Sequence, residues 1–171
     1  VRWHRALEGQ IKTVRIRRQA SLWYACFACE VKPQPLEVTG REVGIDVGIA
    51  SLLTTSDGEH IQNPKWYRSE QAKLRVLQRR VSRRQKGGSN YRKAVRTVQK
   101  QHAHVANRRS DFLKKLVHDL ISRYDRIAIE DLQIVNMAQN SHLAKSILDA
   151  GGGYFRLQLF SKAEYAGRTV V

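Results

Sequence analysis

At 171 residues the chain has room for one medium domain, or a small domain with a flanking piece. With 42% hydrophobic and 27% charged residues it can bury a core without disulfides, and no apolar run approaches the roughly 20 residues of a membrane span. The net charge of +16 is concentrated: residues 65–126 hold 19 Lys/Arg against 4 Asp/Glu, while the segments on either side are nearly neutral. A solubility device would spread its charge, so this concentration points to a polyanionic partner. Membrane binding would require an apolar face with aromatic anchors beside the basic one, and the basic stretch has few aromatics. The chain opens on Val1 with neither a starting Met nor a signal peptide, and is expected to be part of something longer.

In chain order, Ile11 to Ile16 and Leu22 to Val31 read as two strands around a turn at Gln19-Ala20-Ser21. Cys26 and Cys29 have C-x-x-C spacing, but a strand turns residues three apart to opposite faces. With no second Cys/His pair to complete a zinc site, they are expected to be reduced, partly buried thiols. Pro33 and Pro35 mark a boundary, so residues 1–35 read as a β-hairpin belonging to a neighbouring β-rich domain.

Residues 43–49 form an apolar strand, 51–55 a second, and Ser56-Asp57-Gly58-Glu59 a turn into a short third at 60–62. Residues 66–85 have helical spacing. After Gly87-Gly88-Ser89 comes a long helix in which Tyr91, Val95, Val98, His102, Val105, Arg109, Phe112 and Leu116 step by 4 and 3 alternately. That seam predicts an antiparallel helical hairpin over about 66–123, with His102 and Arg109 as polar interruptions at an edge or a nucleic-acid contact. A strand at 126–132, a short helix from about Leu143, a break at Gly151-Gly152-Gly153, a helix over 154–165 and a strand start at 168–171 complete the chain.

Two acids break the pattern around them. Asp46 lies inside the apolar strand between Ile45 and Val47, and Glu130 ends the run Ile127-Ala128-Ile129. A charge in an apolar strand is costly unless paired or metal-bound. On neighbouring strands of one sheet, the two acids would offer the hard oxygen ligands that Mg²⁺ or Mn²⁺ takes. With a third acid they would bracket two ions about 3.5–4 Å apart and activate water for in-line attack on phosphorus. Alone the pair is a weak signal, since acids at strand ends also cap helices or meet an Arg.

The order of the pieces is more specific. Gly44-Ile45-Asp46-Val47-Gly48 with its following hairpin resembles the first RuvC motif, and Ile127-Ala128-Ile129-Glu130-Asp131-Leu132 the second. Between them, Asn63-Pro64-Lys65-Trp66-Tyr67-Arg68, the run from Leu77 to Gly87, and Asn107-Arg108-Arg109-Ser110-Asp111-Phe112 resemble stretches of the TnpB family. These are transposon-encoded proteins also described as OrfB-type transposases, related to the type V CRISPR nucleases.

The resemblance implies an α/β fold: an RNase H-like (RuvC) mixed sheet over residues 36–171 carrying the basic helical hairpin as an insertion. Residues 1–35 would be the end of a wedge-type β-barrel. It implies an RNA-guided, Mg²⁺- or Mn²⁺-dependent DNA endonuclease with guide RNA and target DNA as partners, no membrane and no small-molecule substrate. Its setting would be the prokaryotic cytoplasm, associated with the nucleoid. Asp46 and Glu130 match its first two catalytic, metal-binding acids. Its third acid and its zinc ribbon have no counterpart before Val171, so this stretch is expected to be inactive alone, with zinc confined to that ribbon.

Arg79, Arg80, Arg83 and Arg84 form one stripe on the first helix, where like charges repel unless an anion joins them. With Lys86, Arg92, Lys93, Arg96, Arg108 and Arg109 they are the expected nucleic-acid contacts, chiefly to phosphate. A solvated face is the bland alternative. Trp66 and Tyr67 are expected to pack in the core sooner than stack on a base. Asp131 is expected to support Glu130, and Asp149 to cap a turn. Rival functions are a non-cleaving nucleic-acid-binding protein or RNA-guided repressor on the same fold, and an unrelated basic structural protein. The two acids argue against both.

Overall fold

The computed structural model describes residues 3, 6–48, 51–130 and 151–171. The first two strands, β1 (Gln10–Gln19) and β2 (Leu22–Glu30), pair antiparallel into a two-stranded ribbon. Its tight turn holds Ala20 at φ 54°, a left-handed conformation. Both cysteines are free: Cys29 is half-buried, but Cys26 is exposed, because the ribbon has no core of its own to cover it. Ile11, Val14, Ile16, Leu22 and Trp23 are likewise exposed.

The second sheet is mixed, with five strands in the order β5-β4-β3-β6-β7. They are β3 (Glu42–Asp46), β4 (Ser51–Thr55), β5 (His60–Gln62), β6 (Arg126–Ile129) and β7 (Thr169–Val170). The β3-β4-β5 meander is antiparallel, whereas β6 joins β3, and β7 joins β6, in parallel. β3 ends at Asp46, short of the expected Ile49, and β6 ends at Ile129. Leu132, Asp131, Asp149 and the helix expected from Leu143 lie outside the described residues.

Helices α1 (Trp66–Ser82) and α2 (Ser89–Arg123) fill the connection from β5 to β6, and α3 (Gly152–Ala166) precedes β7. Of the expected glycine break, only Gly151 stands outside α3, as its left-handed N-cap; Gly152 and Gly153 begin the helix. One sheet face packs on α2 and α3. Val43, Ile45, Leu53 and Ile127 meet Leu113, Val117 and Leu120 of α2, with Phe155 and Leu159 of α3, in one buried cluster. Trp66 is in the same cluster, edge-on to Phe112 at 5.4 Å, so it packs as expected and is not free to stack on a base.

The heptad seam needs correction. His102 is exposed and its neighbour Gln101 takes the inward place, donating to Glu70 Oε2 at 2.9 Å. A straight helix drifts about 20° per heptad from a 3.5-residue repeat, so an extended seam cannot face one partner throughout. Lower down, the buried positions are Leu113, Leu116, Val117, Leu120 and Ile121, the face that meets the sheet.

The chain ends of these elements are tied at one point. Arg168 is buried; its Nε donates to the Ile121 carbonyl at 3.0 Å, Nη2 to the Glu37 carbonyl at 2.7 Å and Nη1 to Asp125 at 2.7 Å. Ile121 lies in the last turn of α2, where carbonyls lack intrahelical donors, so the guanidinium acts as a C-terminal cap. The Asp125 carboxylate also accepts from the Thr39 and Gly40 N–H groups and the Thr39 hydroxyl. Chiefly the Thr39 N–H, helped by Gly40 and Arg168 against some desolvation, holds Asp125 below the usual carboxylate range. A lowered folded-state pKa gives stability that is present above the unfolded value, near 3.9, and is lost as pH falls through the folded one. Asp125→Asn should therefore lower stability at pH 7, with the gap to the wild type closing progressively below about pH 4. Denaturant unfolding across that range checks this, and a gap independent of pH contradicts it. Arg168→Ala should cost about 1–3 kcal/mol for the stranded Ile121 carbonyl alone.

Candidate metal centre and nucleic-acid interface

The parallel pairing of β3 with β6 sets Glu42 opposite Arg126, Val43 opposite Ile127, Gly44 opposite Ala128 and Ile45 opposite Ile129. One position beyond these last partners stand Asp46 and Glu130. Alternation fixes the faces: Val43, Ile45 and Ile127 point into the core, so residues 42, 44 and 46 of β3 look the other way. On that outward face a Glu42–Arg126 ion pair of 3.9 Å comes first. Next come the small residues Gly44 and Ala128, in the floor of a shallow depression of about 410 Å³.

Both acids are exposed, which corrects the premise that a charge is buried in an apolar strand. The pleat turns Asp46 out of the core although its sequence neighbours are apolar, so no desolvation penalty arises. What sets the two acids apart is pairing. Glu42, Asp57, Glu59 and Asp125, on or beside the same sheet, each meet an Arg. Among the described residues, no hydrogen bond or ion pair joins the side chain of Asp46 or Glu130 to any partner.

Two exposed carboxylates at adjacent strand ends are a donor set that suits a hard divalent cation and suits no soft one. No group of three or more His, Cys, Asp or Glu side chains converges among the described residues. Two carboxylates supply fewer ligands than the set that brackets a pair of ions in a two-metal site.

The basic hairpin is the second feature. At 1.5 Å per residue, the 35 residues of α2 run about 52 Å, and buried positions begin only at Gln101. The N-terminal third of α2 and the end of α1 therefore project beyond the core. Residues 71–110 hold 13 Lys/Arg and no Asp or Glu. Arg79, Arg80, Arg83, Arg84, Lys86, Arg92, Lys93 and Arg96 are all exposed, and among the described residues none of the eight has an ion-pair partner. Arg79 and Arg80 sit in the last turn of α1, which the helix dipole favours. Arg92 and Lys93 sit at the start of α2, which it disfavours, and no acid offsets them there.

Arg108 and Arg109 stand apart from this group. Arg108 is 3.8 Å from Glu70, which also receives Gln101. Half-buried Arg109 lies against Gly151, the N-cap of α3. The sequence reading missed the inward turn of Gln101 and the Asp125–Arg168 tie. A polar residue beside a seam position, with an acid 31 residues earlier, leaves no periodic trace.

Among the described residues no helix is long and apolar enough to cross a membrane. Comparison with known proteins agrees with the motifs. A relative from Streptomyces pristinaespiralis named "Putative RNA-guided DNA endonuclease" is 42% identical over all of this chain and 43% of its own length. "Putative RNA-guided DNA endonuclease InsQ" of Escherichia coli K12 is 32% identical over 98% of this chain and 46% of its own. A Mycobacterium tuberculosis relative, "Putative RNA-guided DNA endonuclease Rv2885c", is 27% identical over 95% and 38%. The chain thus spans less than half the length of these relatives. The family OrfB_IS605, described as "Probable transposase", matches residues 26–141, a stretch that includes both acid-bearing strands and the whole basic hairpin. The TnpB resemblance of the motifs thereby becomes an assignment: the chain belongs to the OrfB_IS605 transposase family.

Proposed function

We propose that this chain is the central part of an RNA-guided, metal-dependent DNA endonuclease with an RNase H-like (RuvC) sheet, and that residues 1–35 end a wedge-type β-barrel. The observation that carries the reading is the parallel β3–β6 register. It brings two acids that meet no partner among the described residues, 84 residues apart in sequence, to adjacent strand ends. Neighbouring strands lie about 4.8 Å apart, within the reach of a shared ion. The exposed apolar side chains of the β1–β2 ribbon support its origin in a larger β structure.

In this reading Asp46 and Glu130 hold Mg²⁺ or Mn²⁺, which when bound supplies Lewis-acid activation of water and stabilisation of the leaving oxygen. The two carboxylates fix the cation's place on the outward sheet face. The hairpin arginines and lysines hold the phosphates of guide RNA and target DNA, giving affinity and orientation with little sequence preference. The reading assigns the third acid and a zinc ribbon to sequence beyond Val171, and makes residues 1–171 inactive alone. It also sets the protein at the prokaryotic nucleoid. A non-cleaving, guide-dependent binder is the second reading, and the two acids at adjacent strand ends disfavour it.

Cleavage and salt-dependent binding both test this. Residues 1–171 with guide RNA and Mg²⁺ should leave a matched target intact, while a chain carried on through a third acid should cut it. In that longer chain Asp46→Ala should reduce cleavage by more than the roughly 10–100-fold that losing a metal ligand's supporting partner costs, with binding nearly unchanged. Guide-dependent cutting by residues 1–171 would mean that Asp131 or Asp149 completes the site. Replacing Arg79, Arg80, Arg83 and Arg84 together by Ala should flatten the slope of log K against log salt on duplex DNA. The flattening should reach up to about 3.6, at roughly 0.9 per phosphate neutralised. An unchanged slope would place the nucleic acid on another face.

A further inference from the structure

The tip of the hairpin is not uniformly charged. Between the end of α1 and the start of α2 lies a groove of about 360 Å³, near the lower end of the range for small-ligand sites. Its lining is mainly apolar, with Val81 from α1 facing Tyr91, Val95 and Val98 from α2. Arg84 and Lys86 line it too, and the positive N-terminal end of α2 lies beside it. The three α2 residues belong to the heptad seam, yet each is only half-buried, because they face the end of α1 outside the core cluster that the sheet and α3 build.

The surrounding charge decides what fits. With no Asp or Glu from residue 71 to 110, the groove's surroundings favour an occupant that is anionic outside and flat and apolar inside. A paired duplex offers phosphates to the cations but leaves the apolar floor unused. An unpaired nucleotide supplies both parts: its phosphates meet the cations and its base meets the aromatic ring. Gln78 and Gln99, also in the lining, carry amide donors and acceptors for a base edge. We propose that this groove binds one unpaired base of a nucleic acid, stacked on Tyr91, with the flanking phosphates held by Arg84 and Lys86. The proposal rests on the nucleic-acid reading above and adds to it a preference for unpaired over fully paired strands at the hairpin tip.

The test uses the 171-residue chain and two short DNA duplexes, one fully paired and one with a single extruded 2-aminopurine, whose fluorescence stacking quenches. Wild type should bind the extruded-base duplex about tenfold more tightly, in the lower part of what one stacked base contributes, and should quench its fluorescence. Tyr91→Phe should keep both effects. Tyr91→Leu, which retains apolar filling of the groove, should lose most of both while leaving the affinity for the paired duplex and its salt slope unchanged. Equal binding of the two duplexes by wild type, or full quenching by Tyr91→Leu, would overturn the groove assignment and leave the phosphate-binding hairpin standing. Failure to bind either duplex would overturn the nucleic-acid reading itself. If Tyr91→Leu instead dissociated a dimer of the free protein in sedimentation, the groove would be a contact between copies of this chain.

Discussion

The parallel pairing of β3 with β6 is the constraint on which the rest of this structure depends. A parallel pair needs a crossover, and here that crossover contains the whole helical hairpin from Trp66 to Arg123. Because the pairing is in register from Glu42–Arg126 to Ile45–Ile129, the apolar positions of both strands face α2 and α3 together. A slip of one residue would turn Ile45 or Ile127 to solvent and move the acids out of line. The burial of Val43, Ile45 and Ile127 is therefore what fixes the place of Asp46 and Glu130, although neither acid contributes to the core.

Around that pairing the molecule separates its tasks. The lower half of α2 is apolar where it meets the sheet, and its upper half carries cations away from the core. The Asp125–Arg168 tie closes the lower half by joining the end of α2, the lead into β3 and the start of β7. A polyanion bound along the hairpin would thus be held on an arm anchored on one face of the sheet by buried contacts. The eight hairpin cations, which meet no acid among the described residues, repel one another, so bound phosphate would relieve a repulsion that residues 71–110, with no Asp or Glu, cannot.

Much of this was legible in the sequence, for identifiable reasons. The meander β3-β4-β5 was visible because apolar runs alternate with Asp57-Gly58, and Gly58 takes φ 84° as such a turn requires. The hairpin was visible from helical spacing broken at Gly87-Gly88, and the mixed sheet followed from its order. Asp46 and Glu130 stood out by sequence, but for the wrong physical reason: they are exposed, not buried, and neither is paired among the described residues. Faces depend on where the strand starts, and an apolar neighbour at i±1 belongs to the opposite side. Gln101 was missed because the seam was extended past the point where a straight helix stays in phase. Arg168 read as the start of a last strand, since its three partners come from residues 37, 121 and 125, brought near only by the completed fold.

We propose that one divalent cation is shared by Asp46 and Glu130. A double-mutant cycle on Mn²⁺ binding tests it most directly, read by the paramagnetic resonance of free Mn²⁺ with wild type, Asp46→Asn, Glu130→Gln and the double variant. Sharing predicts that either single change weakens binding by about tenfold or more, and that the double variant binds little worse than either single one. Binding unchanged by both single substitutions, or losses that simply multiply in the double variant, would show that the two acids do not act on the same ion.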